Sequence, residues 1–263
     1  MRIDRKAARQ AFVDYVSAYD PQNPRIALKV AHTLRVSELA ADIAGARGPG
    51  DANLAPHEVD LAWLMGLLHD IGRFEQVRRF DTFNDSASVP HAALGAQILF
   101  ETDPALVRAF LADDECDALI RDVVATHADF RLPPEMDERT RIFANIIRDA
   151  DKLDIIHVNA CCPIEDIYGV TEHELLSSTL TPEVVETFYA HRTVERGARR
   201  TPADIFVSHL CFVFELVYAR SRMLAAASTD IRHMLERTFE DPATQKTFSR
   251  MADHLQGEML TWR

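Results

Sequence analysis

The sequence is poor in the residues that turn or break a chain: 9 glycines and 12 prolines in 263 residues. Long runs without turn residues favour helices over strands. Cysteine is scarce too. Cys116, Cys161, Cys162 and Cys211 form no C-x-x-C pair and no regular framework, which argues against a disulfide scaffold. They are expected to be buried thiols in a reducing cytoplasm, with soft-metal binding by the vicinal Cys161-Cys162 as the rarer alternative. No apolar run is long enough for a membrane. The most apolar, Ile205 to Ala219, carries His209 and Glu215 and falls short of the roughly twenty residues a span requires. The N-terminal Met1-Arg2-Ile3-Asp4-Arg5-Lys6 leads into no apolar h-region, so no signal peptide is expected. Positive charge is also lacking. The formal net charge of −12 repels phosphate backbones and argues against a nucleic-acid partner. It leaves room for a local basic pocket that takes a small anion. No Gly-rich phosphate loop, internal repeat or low-complexity tract is found.

What is present is hydrophobic residue at 47%, enough for a real core, arranged with a period near 3.6. The loops stand out as Gly45 to Pro56, Phe80 to Pro90 and Phe130 to Asp137. Between them, Leu28, Val36, Leu39 and Ile43 mark one face of a first helix. A second, about Glu58 to Asp70, is apolar nearly all round and should run through the core, with Gly72 as a left-handed stop. A third begins at Pro90. A fourth opens on Asp113-Asp114-Glu115 and reaches His127, and a fifth runs from about Glu138 to Leu153. Thr181-Pro182 and Thr201-Pro202 each pair a capping residue with proline at the first helical position. The second of these predicts a helix from Pro202 to about Ala225, and Thr229-Asp230 and Asp241-Pro242 predict two more. The expectation is one all-α domain, with a core over 24–160 and a helical extension over 161–263 in which no chemical motif is legible.

The polar residues on the apolar faces carry the chemical signal. His32 lies in register with Leu28, Val36 and Leu39, His69 with Met65 and Ala62, His127 with Ile120 and Val124, and Asp151 with Ile147 and Ala144. Burying such groups unpaired is costly. Taken singly, each is more often a hydrogen-bonded core histidine or a capping aspartate. Together they are satisfied by one shared metal ion. The adjacent pair His69-Asp70 inside a very apolar helix strengthens that reading, because a core helix has little use for two polar neighbours about 100° apart.

These residues, with K-V-A-H-T-L-R-V around His32, L-L-H-D-I-G-R-F-E around the doublet and I-R-D-A-D-K-L-D around Asp151, resemble the HD-domain superfamily of metal-dependent phosphohydrolases. The likeness covers roughly the first 160 residues, and the stretch after the doublet resembles a less characterised bacterial branch. It implies a helical HD bundle with added C-terminal helices and a metal site made of His32, His69, Asp70 and Asp151. His91 and His127 stand where some members carry two further histidines, which implies a second ion with Asp70 bridging. The H-H-E-x-x-D-G-x-G-Y-P motif of members that cleave cyclic dinucleotides is missing after His127.

Imidazoles mixed with carboxylates suit Mn, Fe, Co, Ni or Zn better than Mg. The reaction implied is hydrolysis of a phosphoester of a small metabolite or nucleotide by metal-activated water, with Asp70 orienting that water. Cations for the phosphate are sought at Arg73, Arg78, Arg79 and Lys152, although solvated surface charge is the commoner role. Two alternatives stay open: a di-iron oxygenase, which uses the same six ligands, and a non-catalytic metal or nucleotide sensor. A homo-oligomer is neither required nor excluded. His57, His157, His173, His191, His209, His233 and His254 have no recruiting spacing and are expected to be structural or on the surface.

Overall fold

Helix starts in this chain are written into its polar residues. In the computed structural model, which describes residues 3–262, Asp4 accepts hydrogen bonds from the Lys6 and Ala7 amides to open α1 (Arg5–Val16). Asn23 does the same for Arg25 and Ile26 at the head of α2 (Pro24–Gly45), and the Ala55 amide donates to Glu58 at the head of α3 (Pro56–Leu68). Such caps satisfy amides that have no partner inside the helix. There follow α4 (Ile71–Phe80), α5 (His91–Gln97), α6 (Pro104–Phe110), α7 (Asp117–Thr126) and the long α8 (Glu138–Cys161). Every regular element among the described residues is helical, as the sequence predicts.

The chain divides into two compact units, Met1–Asp151 and Lys152–Arg263. In the first, α3 is buried on every side from Leu61 to Leu68, in keeping with its all-round apolar sequence. Two glycines set how closely its neighbours approach. A Cβ on Gly66 would lie 2.8 Å from the Ser37 Cα, so α2 and α3 meet backbone to backbone there. A Cβ on Gly72 would lie 2.2 Å from the His91 carbonyl oxygen. Gly72 was expected as a left-handed stop. It sits inside α4 instead, and its lack of a side chain serves the contact with α5. The helix break falls two residues earlier, at His69 and Asp70.

The second unit adds α9 (Ile164–Tyr168), α10 (Glu172–Leu176), α11 (Pro182–Tyr189), α12 (Pro202–Leu210), α13 (Ala219–Ala227), α14 (Thr229–Leu235) and α15 (Pro242–Met259). Phe188, Phe206, Phe239 and Phe248 anchor its core. The single helix expected over 202–225 is broken. α12 ends at Leu210, a 3-10 turn covers Cys211–Glu215, and Leu216 and Tyr218 are extended. A straight helix would send an all-round apolar run partly into water, whereas the break lets Phe212 and Phe214 both pack on the core. The Arg222 guanidinium donates to the freed carbonyls of Leu216 and Val217 at 2.8 and 3.0 Å. Of the four thiols, Cys116 and Cys211 are buried as expected, but Cys161 is exposed, its Sγ 3.4 Å from the His157 ring and 3.7 Å from the Cys162 Sγ.

Candidate metal centre

Five helical segments of the first unit bring the six predicted residues together. His32 comes from the middle of α2, and His69 and Asp70 form the turn between α3 and α4. His91 is the first residue of α5, His127 follows α7, and Asp151 lies on α8. The close α2–α3 approach at Gly66 puts the His32 and His69 rings 5.3 Å apart. The α4–α5 approach at Gly72 carries His91 to Asp70. No one of His32, His69, Asp70, His91 and His127 is more than 3% exposed, and the Asp151 side chain is 17% exposed.

The proton positions follow from the partners. The His69 Nδ1 lies 2.7 Å from the Gly66 carbonyl and the His127 Nδ1 2.8 Å from the Val124 carbonyl. A carbonyl can only accept, so each Nδ1 carries the hydrogen. The His91 Nδ1 faces both oxygens of Asp85 at 2.9 Å. Burial disfavours the charged imidazole and holds His69 below its usual pKa and His91 at about 3. Neutral rings protonated at Nδ1 present bare lone pairs at Nε2. The Nε2 atoms converge in two pairs: those of His32 and His69 are 3.3 Å apart, and those of His91 and His127 are 3.1 Å apart.

Asp70 stands between the two pairs. Its Oδ2 is 3.4 and 3.5 Å from the His32 and His69 Nε2 atoms, and its Oδ1 is 3.3 and 3.6 Å from those of His91 and His127. Asp151 Oδ1 joins the first pair at 3.2 and 3.8 Å. Burial works against ionising Asp70, but the Lys29 ammonium 2.6 Å from Oδ2 and the surrounding imidazoles hold its carboxyl well below the usual range. Asp151 is likewise held low by His32 and His69 against the cost of burial. Asp70 Oδ1 is nonetheless buried without a hydrogen-bond partner. A buried carboxylate oxygen with no hydrogen-bond partner, set among imidazole nitrogens, is the arrangement that a cation completes. His32, His69 and Asp151 form one group able to hold a metal ion, and His69, Asp70 and His127 another. Nitrogen and carboxylate donors fit a divalent transition ion.

A second layer steadies this centre. Asp85 receives hydrogen bonds from Gln76 Nε2 at 2.9 Å and Arg73 Nη1 at 3.0 Å while holding the His91 ring. Such a partner fixes the ligand's tautomer and orientation. Arg73, predicted as a phosphate cation, is buried, with further bonds to Gln76 and the Phe83 carbonyl and its Nε 3.6 Å from Asp70 Oδ1. Arg78 and Arg79 are exposed, and both pair with Glu75 on their own helix. Lys152 is buried, with its Nζ 3.8 Å from a Glu215 carboxylate oxygen. Neither Lys29 nor Asp85 is among the residues that the sequence singles out. Lys29 was detectable, because it lies three residues before His32 on the same helical face. Asp85 sits in a short turn before α5, where no periodicity marks it.

Residues 30–156 match the family described as the HD domain. That segment, a little under half of the chain, is an HD domain, the domain of a superfamily of metal-dependent hydrolases. No curated protein and no solved structure matches the chain. Among the described residues no helix is long and apolar enough to cross a membrane.

Proposed function

We propose that the protein is a metal-dependent phosphohydrolase that holds two divalent ions and cleaves a phosphoester of a small metabolite or nucleotide. The observation that carries this reading is the division of Asp70, with one oxygen turned to His32 and His69 and the other to His91 and His127. A carboxylate placed so is suited to bridging. Divalent ions bound by these residues would supply Lewis acidity, lowering the pKa of water toward about 7 and drawing charge from phosphoryl oxygens. The protein's own groups provide the frame. Gly66 and Val124 carbonyls hold the His69 and His127 Nδ1 hydrogens and so turn their Nε2 atoms to the centre, and Asp85 orients His91 in the same way. Lys29 and Arg73 set positive charge on either side of the Asp70 carboxylate, which favours an approaching phosphate. Arg78, Arg79 and Lys152 already have carboxylate partners and contribute less. The net charge of −12 favours a small cytoplasmic substrate over a nucleic acid.

The test is phosphate release from a panel of phosphorylated metabolites and nucleotides by stripped protein reloaded with Mn, Fe, Co, Ni or Zn, under exclusion of oxygen. Turnover that needs the metal, and that disappears in His69→Ala together with the metal held by this centre, is expected. Turnover by a metal-free variant would overturn the site. An absolute need for iron and dioxygen would favour the oxygenase reading, which the same six-residue set supports. Full metal loading with no turnover of any kind would leave a sensor.

A further inference from the structure

The second unit holds another set of metal-type donors, built by a different route. His254 and Glu258 lie one turn apart on α15 and therefore share a face. His191 lies just beyond the C-terminus of α11, where its amide donates to the Phe188 carbonyl at 2.9 Å. Although 63 residues separate them, the Nε2 atoms of His191 and His254 are 2.8 Å apart. Ligand atoms of His191, His254 and Glu258 all fall within 4.8 Å of one another.

Three observations show that these rings are posed rather than loose. His191 adopts φ +54°, a left-handed conformation that few non-glycine residues take. That turn swings its imidazole back over α15. The ring then stacks on Phe214, with centroids 4.6 Å apart and planes within 8° of parallel. The His254 ring packs at an angle against Tyr189 and Phe188, at 5.3 and 6.0 Å. Aromatic walls thus hold both imidazoles with their Nε2 edges facing each other and the Glu258 carboxylate beside them.

From this cluster we infer that the chain carries a second, surface-accessible site for a late first-row divalent cation, of the Zn2+ type, formed by His191, His254 and Glu258. Two imidazoles and one carboxylate are a common zinc donor set and leave a fourth position for water. Without an ion the facing nitrogens share a single hydrogen. With zinc at about 2.0–2.1 Å from each, a tetrahedral arrangement spaces them about 3.3 Å apart, so the rings need open by only about half an ångström. Binding displaces that hydrogen, which passes through water to the Nδ1 of the same ring so that both imidazoles stay neutral, and places two nitrogen–metal bonds where one N–H···N contact stood. The ion would tie the end of α11 to α15. This site is outside residues 30–156 and does not depend on the phosphohydrolase reading.

The experiment uses the full chain without added histidines, stripped by chelation and equilibrated with Zn2+ alone at buffered micromolar free concentration. Metal per chain is measured for the native sequence, for His191→Asn/His254→Gln, and for His69→Ala. The double variant is expected to bind one zinc fewer than the native chain, and zinc is expected to raise the melting temperature of His69→Ala. Glu258→Gln should weaken the same equivalent. Loading with Co2+ gives a second readout: tetrahedral visible absorption that His69→Ala keeps and the double variant loses. Equal zinc content in the native chain and the double variant would overturn the proposal, as would loss of all zinc in His69→Ala. Should the double variant lose helical content, the single His254→Gln on the helix surface decides by the same measurements.

Discussion

Asp70 in the first unit and Asp204 in the second are both buried aspartates, no more than 2% exposed. Their surroundings are opposite. The Asp204 carboxylate receives backbone amides from Thr181 and Arg200 at 2.9 Å and from Thr201 at 3.2 Å, and so locks the start of α12 to the segment before α11. Asp70 receives no backbone amide, faces the Nε2 atoms of four imidazoles, and has one orphaned oxygen. Burial alone therefore does not mark a functional carboxylate. What marks it is a lone pair that the fold protects from water and then leaves without a donor, since such an atom costs stability unless something else fills the role.

That contrast is broken most severely at Asp70. Asp70→Asn should abolish binding of both ions and lower turnover by at least about 10³-fold, on the scale of deleting a main electrostatic group, while helical content by circular dichroism stays the same. His91→Ala should lose one ion and retain more activity than Asp70→Asn. Equal residual activity in the two would argue against a bridging carboxylate. Asp204→Ala should do the reverse. Buried amides left unpaired cost about 1–3 kcal/mol each, and partial rehydration brings the total to roughly 3 kcal/mol. A chain of this size then melts about 6–12 °C lower, with metal content unchanged. Asp85→Asn tests the supporting layer and should weaken metal binding by roughly 10–100-fold, as read by metal titration, with a smaller change in melting than Asp204→Ala.

The difference in legibility between the two units follows the same physics. His32, His69, His127 and Asp151 were readable because each replaces an apolar residue on a periodic face, so local pattern and burial coincide. The partner of His91 was not, because Asp85 reaches it from a turn. The role of Gly72 is hidden for a related reason: a glycine at a helix end and one at a helix crossing look alike until the crossing helix is known. In the second unit the break after Leu210 depends on where Phe212 and Phe214 find room, which is a property of the packed unit. The pairing of His191 with His254 is more distant still, since neither residue has a neighbour in sequence that signals the other.

The smallest expected effects concern Arg78 and Arg79, where sequence and structure suggest different roles. Read from sequence, they are cations for the substrate phosphate. In the fold both bind Glu75, whose side chain is only 6% exposed. Burial alone would raise the Glu75 pKa, but hydrogen bonds from Arg78 and Arg79 bring it below the usual value. Either arginine alone keeps that carboxylate paired, so Arg78→Ala or Arg79→Ala should each barely change the melting temperature, as exposed cations do. Removing both strands a largely buried charge, and the double variant should lose more stability than the sum of the two. Metal content should not change, and KM for the substrate should stay within about twofold because neither guanidinium is shared with the centre. A large rise in KM for a single variant, with unchanged melting, would instead return these arginines to the substrate and place the phosphate on the α4 side of Asp70.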